Sequence, residues 1–151
     1  MNNNESQEMY LETILRLQDK KGGVRSVDVA EELGYSKPSV SRAVGILKKD
    51  GFITVRPDGT IDLTESGRKK AESIYARHKV LTKAFVVMGL EPLAAEENAC
   101  RVEHIITEDA FEAIRKYFGE DMAALNKYIV GQPLRNKMLI ENVQRISSFY
   151  K

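Results

Sequence analysis

The chain has 151 residues, 42% of them hydrophobic, and a formal net charge of +1; it can form one domain or two small ones, and its bulk charge does not indicate a nucleic-acid-binding protein. No apolar run approaches the roughly 18 residues of a membrane span, and the first ten residues, MNNNESQEMY, lack the apolar core of a signal peptide. Together with a single cysteine, which cannot form an internal disulfide, these features predict a cytoplasmic protein without a membrane partner.

The first predicted element is a helix over residues 6–20, where apolar side chains recur at helical spacing and KKGG marks the end. Two short helices joined by a turn follow in RSVDVAEELGYSKPSVSRAVGILKKDGFI. Ser26 is the predicted N-cap of the first, Gly34 supplies the turn, and Ser36 is the predicted N-cap of the second. The second helix has apolar residues at the spacing i, i+4, i+7 of a buried stripe, namely Val40, Val44 and Leu47.

The segment FITVRPDGTIDLT then alternates apolar and polar residues around a hairpin turn at Asp58-Gly59. A helix–turn–helix followed directly by a β-hairpin predicts a winged helix–turn–helix module. We place this module in residues 1–72. Its boundary lies near the start of a long helix that is capped by Thr64 and runs to about Gly89.

Residues 73–151 are predicted to form an all-helical domain. The long helix is followed by a helix in EPLAAEENACRVEHII and by another that Thr107 caps, and residues 120–151 are mostly helical in pattern with a break at GQP. The predicted fold class is therefore mainly α, with an N-terminal winged helix–turn–helix, a β-hairpin wing and a helical second domain. No role is assigned to residues 119–151.

The predicted second helix of the pair has the side chains of a DNA-reading element. Such a helix enters the major groove with its N-terminal residues on the base edges. Arg42 suits a bidentate contact with guanine, and Arg56 on the wing suits a phosphate or the minor groove. Between residues 36 and 70, eight basic and four acidic residues leave a local charge of +4. The candidate DNA-binding residues are Ser36, Lys37, Ser39, Ser41, Arg42 and Arg56. The alternative is a solvated face on a winged helix that binds protein.

The segment ENACRVEHII, at residues 97–106, contains the only cysteine and one of the two histidines. On one continuous helix, Cys100, Glu103 and His104 lie at i, i+3 and i+4 and share a face. A thiolate, a carboxylate and an imidazole suit a divalent transition metal better than calcium or magnesium, which prefer oxygen ligands. The alternative is a buried cysteine beside a surface Glu–His pair.

Three further ligand-capable residues lie on other predicted helices. Met9 and Glu12 share a face of the N-terminal helix, and His78 is on the long helix. Each has a structural alternative: Met9 as an apolar core residue, Glu12 as a solvated surface carboxylate, and His78 as a neutral histidine in the core or at the surface. Six such residues on three helices are consistent with one or two metal sites.

At this point the sequence resembles the metal-dependent repressors of the DtxR/MntR family, in EMYLETIL, the winged helix–turn–helix, RHKVL and ACRVEHII. The resemblance covers roughly residues 5–118. It implies a DNA-binding domain followed by a metal-binding and dimerisation domain, in a homodimer that represses metal-uptake genes when a divalent metal binds. The iron-type primary site is matched by Met9, Cys100, Glu103 and His104. His78 matches a histidine of both branches, and Glu12 matches a carboxylate of the manganese branch.

The ligand set is a hybrid of the two branches. At two positions where iron-type members carry a glutamate and a histidine, this chain has Thr82 and Glu96, so their ancillary site is incomplete here, although Glu96 remains a possible ligand. The length of the chain leads us to expect no SH3-like third domain. Sulfur ligands make Fe²⁺ the first choice and Mn²⁺ the second, with Ni²⁺ or Co²⁺ as substitutes in vitro.

The sequence therefore predicts a metal-activated transcriptional repressor. Since one helix–turn–helix reads one half-site, we expect a homodimer on double-stranded operator DNA. The alternatives are a winged-helix regulator that does not respond to metal and a thiol sensor built on Cys100, which lacks a second cysteine to resolve a sulfenic acid. An enzyme is not expected, because no nucleophile–base pair or phosphate-binding loop is recognisable.

Overall fold

The computed structural model of the protein describes residues 3–118, which form six helices and one two-stranded antiparallel sheet. The elements in chain order are α1 (Asn3–Lys21), α2 (Ser26–Leu33), α3 (Lys37–Lys49), β1 (Ile53–Val55), β2 (Ile61–Leu63), α4 (Glu65–Val87), α5 (Pro92–Val102) and α6 (Glu108–Phe118). This mainly helical order with a single hairpin confirms the predicted fold class. Within these residues no helix has both the length and the apolar character needed to cross a bilayer.

The chain separates into two compact units between Tyr75 and Ala76, inside α4. The first unit holds α1 to β2 and the start of α4, and the second holds the rest of α4 with α5 and α6. The domain boundary predicted after residue 72 falls in the same helix. The helices predicted for residues 120–151 lie outside the described residues.

The first unit is built around a core to which α1, α2, α3, the hairpin and the start of α4 contribute. The stripe predicted on α3 is buried, as are the inward-facing residues of α1, α2 and both strands. The fully buried core side chains of this unit include Leu11, Ile14, Val29, Val40, Leu47, Ile53 and Ile61. An isolated bridge pairs Val24 with Ile61 and so attaches the segment before α2 to the wing.

Helix α2 begins differently from the prediction. Ser26 is its first helical residue, and Arg25 is the N-cap. Asp28 is the third helical residue, and its carboxylate accepts the backbone N–H of the N-cap Arg25 at 2.7 Å, as the third residue of a capping box does. Asp28 also binds the ammonium group of Lys21 at 2.5 Å, and this bond, with the Arg25 N–H, lowers the pKa of Asp28.

The other predicted caps are confirmed. Ser36 accepts the backbone N–H of Ser39 at the start of α3, and Thr107 accepts that of Ala110 at the start of α6. At the start of α4, the hydroxyl of Thr64 accepts the N–H of Gly67 at 3.2 Å. Gly67 packs on the chain just before β1 so closely that a Cβ there would lie 1.9 Å from the Phe52 carbonyl oxygen.

The wing has the predicted turn. Strand β1 pairs with β2 so that Thr54 faces Asp62, and Gly59 in the connecting turn has a left-handed φ of 87°. The carboxylate of Asp58 accepts the backbone N–H of Thr60 at 2.9 Å, which lowers the pKa of Asp58. These bonds fix a short, tight hairpin beside α3.

In the second unit, α5 is shorter than predicted. It ends at Val102, and residues 103–106 form a turn rather than continuing the helix. The physical reason is the next cap: Thr107 starts α6, so the chain has to leave the axis of α5 before it. Arg77 of α4 also contacts this connection, because its guanidinium donates to the Ile106 carbonyl oxygen at 3.4 Å and binds the Glu108 carboxylate.

Candidate metal centre and DNA-binding surface

The buried imidazole of His78 is the centre of the candidate metal site in the second unit. Its Nδ1 atom lies 2.8 Å from Oε2 of Glu103 and 3.6 Å from Sγ of Cys100. On the other side of the ring, Nε2 lies 3.7 Å from Oε1 of Glu96. His78 is only 1% exposed, whereas Cys100 is exposed at the edge of the cluster. An oxygen donor from Glu103 and a sulfur donor from Cys100 therefore both lie close to the Nδ1 nitrogen of His78.

Glu103 places its two carboxylate oxygens on different histidines. Oε2 faces His78, and Oε1 lies 3.2 Å from Nε2 of His104. Like His78, the Glu103 side chain is 1% exposed. Because α5 ends at Val102, Cys100 is in its last turn, Glu103 is the C-cap and His104 is in the following turn. The prediction that these three residues share one helix is therefore wrong, yet the turn still brings Glu103 against both imidazoles.

The donor atoms around His78 fit a transition metal ion. Sγ of Cys100, Nδ1 of His78 and a carboxylate oxygen of Glu103 all lie within 4.8 Å of one another. Donors bound to one ion at about 2.0–2.3 Å are roughly 3.0 Å apart at a right angle and about 3.6 Å apart at a tetrahedral angle. The separations of 2.8 and 3.6 Å are close to these values. The mixed sulfur, nitrogen and oxygen set also matches the preference of borderline divalent metals.

The remaining two predicted ligands belong to the first unit. Met9 and Glu12 are both in α1, one turn apart, and so lie on one face of that helix as predicted. Glu12 is buried, with Arg16 Nη1 3.9 Å from its Oε1 atom. Met9 is half-buried, and the Tyr35 hydroxyl lies 3.8 Å from its Sδ atom.

The two positions at which the sequence departs from the iron-type pattern behave differently. The Thr82 hydroxyl donates to the backbone carbonyl oxygen of His78 at 2.7 Å, so it is turned to its own helix. Glu96 is half-buried and faces Nε2 of His78, as described above. Only Glu96 therefore adds a donor near the imidazole.

The candidate DNA-binding residues lie at the start of α3 and on the wing. Lys37, Ser41 and Arg42 are exposed, opposite the buried stripe. The Ser36 hydroxyl donates to Oγ of Ser39 at 2.8 Å, which joins the two serines that begin the helix. The first turns of α3 therefore present polar and basic side chains to solvent.

Arg56 has a partner that sequence spacing did not reveal. Its guanidinium binds the Asp62 carboxylate through Nε at 2.6 Å and Nη2 at 3.0 Å, while its side chain remains 61% exposed. Sequence reasoning also missed Arg25, an exposed residue whose guanidinium donates to the backbone carbonyl of Asp58 in the wing turn at 2.5 Å. The contact follows from the bridge between Val24 and β2, a long-range pairing with no local sequence signal.

Comparisons with known proteins agree with this arrangement. Residues 4–61 match the family model for the N-terminal DNA binding domain of iron dependent repressors, and residues 64–121 match that for their metal binding and dimerisation domain. The chain is 36% identical over 103 residues to the iron-dependent repressor IdeR of Mycobacterium tuberculosis. The aligned region covers 68% of this chain and 45% of that protein. It therefore spans a little under half the length of that relative.

Manganese regulators are similar as well. Over 108 residues the chain is 32% identical to the transcriptional regulator MntR of Escherichia coli O157:H7, covering 72% of this chain and 70% of that protein. A solved manganese-dependent transcriptional repressor in complex with manganese superimposes with a TM-score of 0.71 at 25% identity, over 76% of this chain and 53% of that one. These matches favour neither the regulator that ignores metal nor the thiol sensor. The order of the two domains and the extent of both matches place this chain in the DtxR/MntR family of metal-dependent transcriptional repressors.

Proposed function

We propose that the protein is a metal-activated transcriptional repressor that binds operator DNA as a homodimer and controls metal-homeostasis genes. The observation that carries the proposal is the meeting of Cys100, His78 and Glu103, since a thiolate, an imidazole and a buried carboxylate within 4.8 Å of one another form a transition-metal ligand set. The membership of the family supports the further step that metal binding controls DNA binding, because its members combine a DNA-binding domain with a metal-binding domain.

The proposed ligands divide by chemistry. Sulfur comes from Met9 and Cys100, oxygen from Glu12 and Glu103, and nitrogen from His78 and His104. Fe²⁺ is the proposed physiological ion, because two sulfur donors favour a softer metal than an oxygen-and-nitrogen set does. Mn²⁺ is the second choice, and Ni²⁺ and Co²⁺ are expected to substitute in vitro. When bound, the ion supplies the positive charge that holds anionic and neutral donors together.

Activation is proposed to follow from linkage. A metal that binds the DNA-competent conformation more tightly raises the population of that conformation. The coupling is reciprocal, so operator DNA raises the affinity for metal by the same factor as metal raises the affinity for DNA. We propose that Met9 and Glu12, which lie in the DNA-binding unit, contribute to this preference.

DNA recognition is assigned to the start of α3 and to the wing. Ser36, Lys37, Ser39, Ser41 and Arg42 are proposed to contact bases and phosphates in the major groove, and Arg56 to contact the backbone or minor groove. Because Nε and Nη2 of Arg56 bind the Asp62 carboxylate, a DNA phosphate that contacts these atoms would compete with this ion pair.

The second unit is the proposed dimer surface. Several of its large apolar side chains are 66–69% exposed, namely Met88, Leu93, Ile105 and Tyr117. Exposed apolar groups of this size support burial against a partner subunit. A dimer would present two copies of α3 to half-sites about one DNA turn apart. Sedimentation of the metal-loaded protein on a duplex containing one half-site distinguishes the dimer from a monomer.

The direct test is a binding titration. Operator sequences are first selected from random duplexes with the metal-loaded protein, and the affinity of the apo protein is then measured anaerobically with and without Fe²⁺ or Mn²⁺. The proposal requires tighter operator binding with at least one of these ions. Equal affinity with and without both ions contradicts it.

A matched pair of variants tests the assignment of α3. Arg42→Ala should weaken operator binding by about 1–3 kcal/mol, because it removes a bidentate base contact, while binding to unrelated DNA falls less. Lys20→Ala removes the same charge from an exposed position at the end of α1 and serves as the control. An equal loss on all DNA sequences would make Arg42 a phosphate contact instead.

A further inference from the structure

Tyr35 lies in the turn between α2 and α3 and joins three elements of the first unit. Its backbone N–H donates to the Ala30 carbonyl oxygen at 3.1 Å, which fixes it to the end of α2. Its side chain extends to α1, where the hydroxyl lies 3.8 Å from Sδ of Met9. Its ring packs edge-to-face on the Tyr10 ring, with centroids 6.3 Å apart and planes at 63°. One residue of the turn therefore contacts two consecutive residues of α1.

The position of Tyr35 along the chain matters for DNA reading. It directly precedes Ser36, the N-cap whose side chain holds the first turn of α3 through the N–H of Ser39. A cap fixes where a helix begins and the direction in which its first residues point. Tyr35 is therefore adjacent to the residue that fixes the first turn of α3.

The other end of the contact is a soft metal ligand. A thioether sulfur is a weak hydrogen-bond acceptor, and it can bind a soft or borderline cation through a lone pair. Met9 is the sulfur-containing member of the proposed ligand set in this unit. Because Tyr10 is buried in the core at 5% exposure, the ring contact holds Tyr35 close to α1 while the hydroxyl contact depends on where the sulfur lies.

We propose that Tyr35 is a positioning residue that couples metal ligation at Met9 to the setting of the DNA-reading helix. With Met9 as a ligand, its sulfur would be held in place, the Tyr35 hydroxyl would be held against that sulfur, and the adjacent N-cap of α3 would be held in turn. This inference rests on the proposed function, since it takes Met9 as a ligand. It adds a route from Met9 through Tyr35 to the N-cap of α3, and all of these residues lie in the first unit.

The test measures a coupling factor rather than an affinity. The affinity of the full chain for Co²⁺ is determined by anaerobic spectroscopic titration, once for the free protein and once with the selected operator duplex at saturation. The ratio of the two affinities is the coupling. Tyr35→Phe removes only the hydroxyl and should lower this ratio about two- to five-fold, as expected for loss of one weak hydrogen bond. Tyr35→Ala also removes the ring contact and should lower it further.

Two further variants make the measurement decisive. Tyr75→Phe deletes a hydroxyl elsewhere in the same unit and should leave the ratio unchanged. Met9→Leu should lower the ratio by itself, and adding Tyr35→Phe to it should produce no further change, because the hydroxyl acts through the sulfur. Independent, multiplicative losses in the double variant would overturn the proposal.

The outcomes separate this inference from the function on which it rests. A wild-type protein with no coupling between Co²⁺ and operator contradicts the proposed function and the inference together. A wild-type protein with coupling that Tyr35→Phe retains in full contradicts the inference alone. If Tyr35→Phe weakens DNA binding equally with and without metal, the ratio is unchanged; Tyr35 is then a simple DNA contact, and the inference is wrong.

Discussion

Replacing Glu103 by glutamine removes the charge at the centre of the candidate site while nearly preserving the volume of the side chain. The carboxylate is 1% exposed and lies 2.8 Å from Nδ1 of His78 and 3.2 Å from Nε2 of His104. A glutamine amide can still place its oxygen and its NH₂ group toward these rings, so the apo protein should remain folded. The anionic ligand, however, is lost.

The size of the effect follows from mass action on the folded state. A metal present at 100 times its dissociation constant stabilises the wild-type protein by about 2.7 kcal/mol. For a chain of this length, 1 kcal/mol corresponds to roughly 2–4 °C, so the melting temperature should rise by about 5–11 °C. Loss of a residue that only supports a ligand costs about 10–100-fold in metal affinity, and loss of a ligand should cost at least the upper value. At the same metal concentration, a 100-fold weaker site provides only about 0.4 kcal/mol, or about 1–2 °C.

The assay is anaerobic thermal denaturation of apo and metal-loaded protein, with Mn²⁺ and Fe²⁺ in parallel. Glu97→Gln is the matched control, because it removes the same charge from an exposed position of α5 and should keep the full metal-induced rise. If Glu103→Gln also keeps a rise of more than about 5 °C, the carboxylate is not a ligand and the site is wrongly assigned.

Three other changes have expected outcomes. Gly67→Ala should lower the free energy of unfolding by more than about 3 kcal/mol in denaturant titrations, since its Cβ would lie 1.9 Å from a backbone oxygen. The control is Gly45→Ala, in open space on α3, which should raise the free energy of unfolding by up to about 1 kcal/mol. Similar values for the two variants would contradict the close packing at Gly67. The pKa of Asp28 is lowered in the folded state, so its contribution to stability is present above its unfolded value and is lost as the pH falls through the folded one. The stability difference between wild type and Asp28→Asn should therefore be constant in melting experiments above about pH 5 and shrink below about pH 4, and a difference independent of pH would refute the linkage. Met9→Asp combined with Cys100→Glu should move operator activation from Fe²⁺ toward Mn²⁺, and an unchanged preference would show that sulfur does not set selectivity.

The winged helix–turn–helix could be predicted almost completely because its signals are local. The cap at Ser36, the turn at Asp58-Gly59 and the cap at Thr64 each depend on residues within a few positions of one another, and the same is true of the cap at Thr107 in the second unit. Where a local signal had two solutions, as at the start of α2, the prediction failed. Ser26 is the predicted N-cap, but Arg25 has that position, and Asp28 at the third helical position accepts the Arg25 N–H.

The residues of the candidate metal centre could be proposed from the sequence, but their arrangement could not. Spacing alone suggested that Cys100, Glu103 and His104 share one helix, and the helix in fact ends before Glu103. What brings Glu103 and Cys100 to His78 is packing across 22–25 residues of sequence, which no periodicity encodes. The same holds for the contact between Tyr35 and Met9, which spans 26 residues.

The proposed ligands come from both units, which suggests that metal binding and activation depend on different residues. Cys100, His78 and Glu103 lie close together within the second unit, and we propose that they hold the ion there, while the sulfur donors of Cys100 and Met9 favour a softer metal. A ligand that binds two conformations equally cannot shift their populations. We propose that the preference for the DNA-competent conformation comes from donors outside that cluster, namely Met9 and Glu12. Loss of these two should leave a protein that binds metal but responds to it weakly, whereas loss of Glu103 removes both properties.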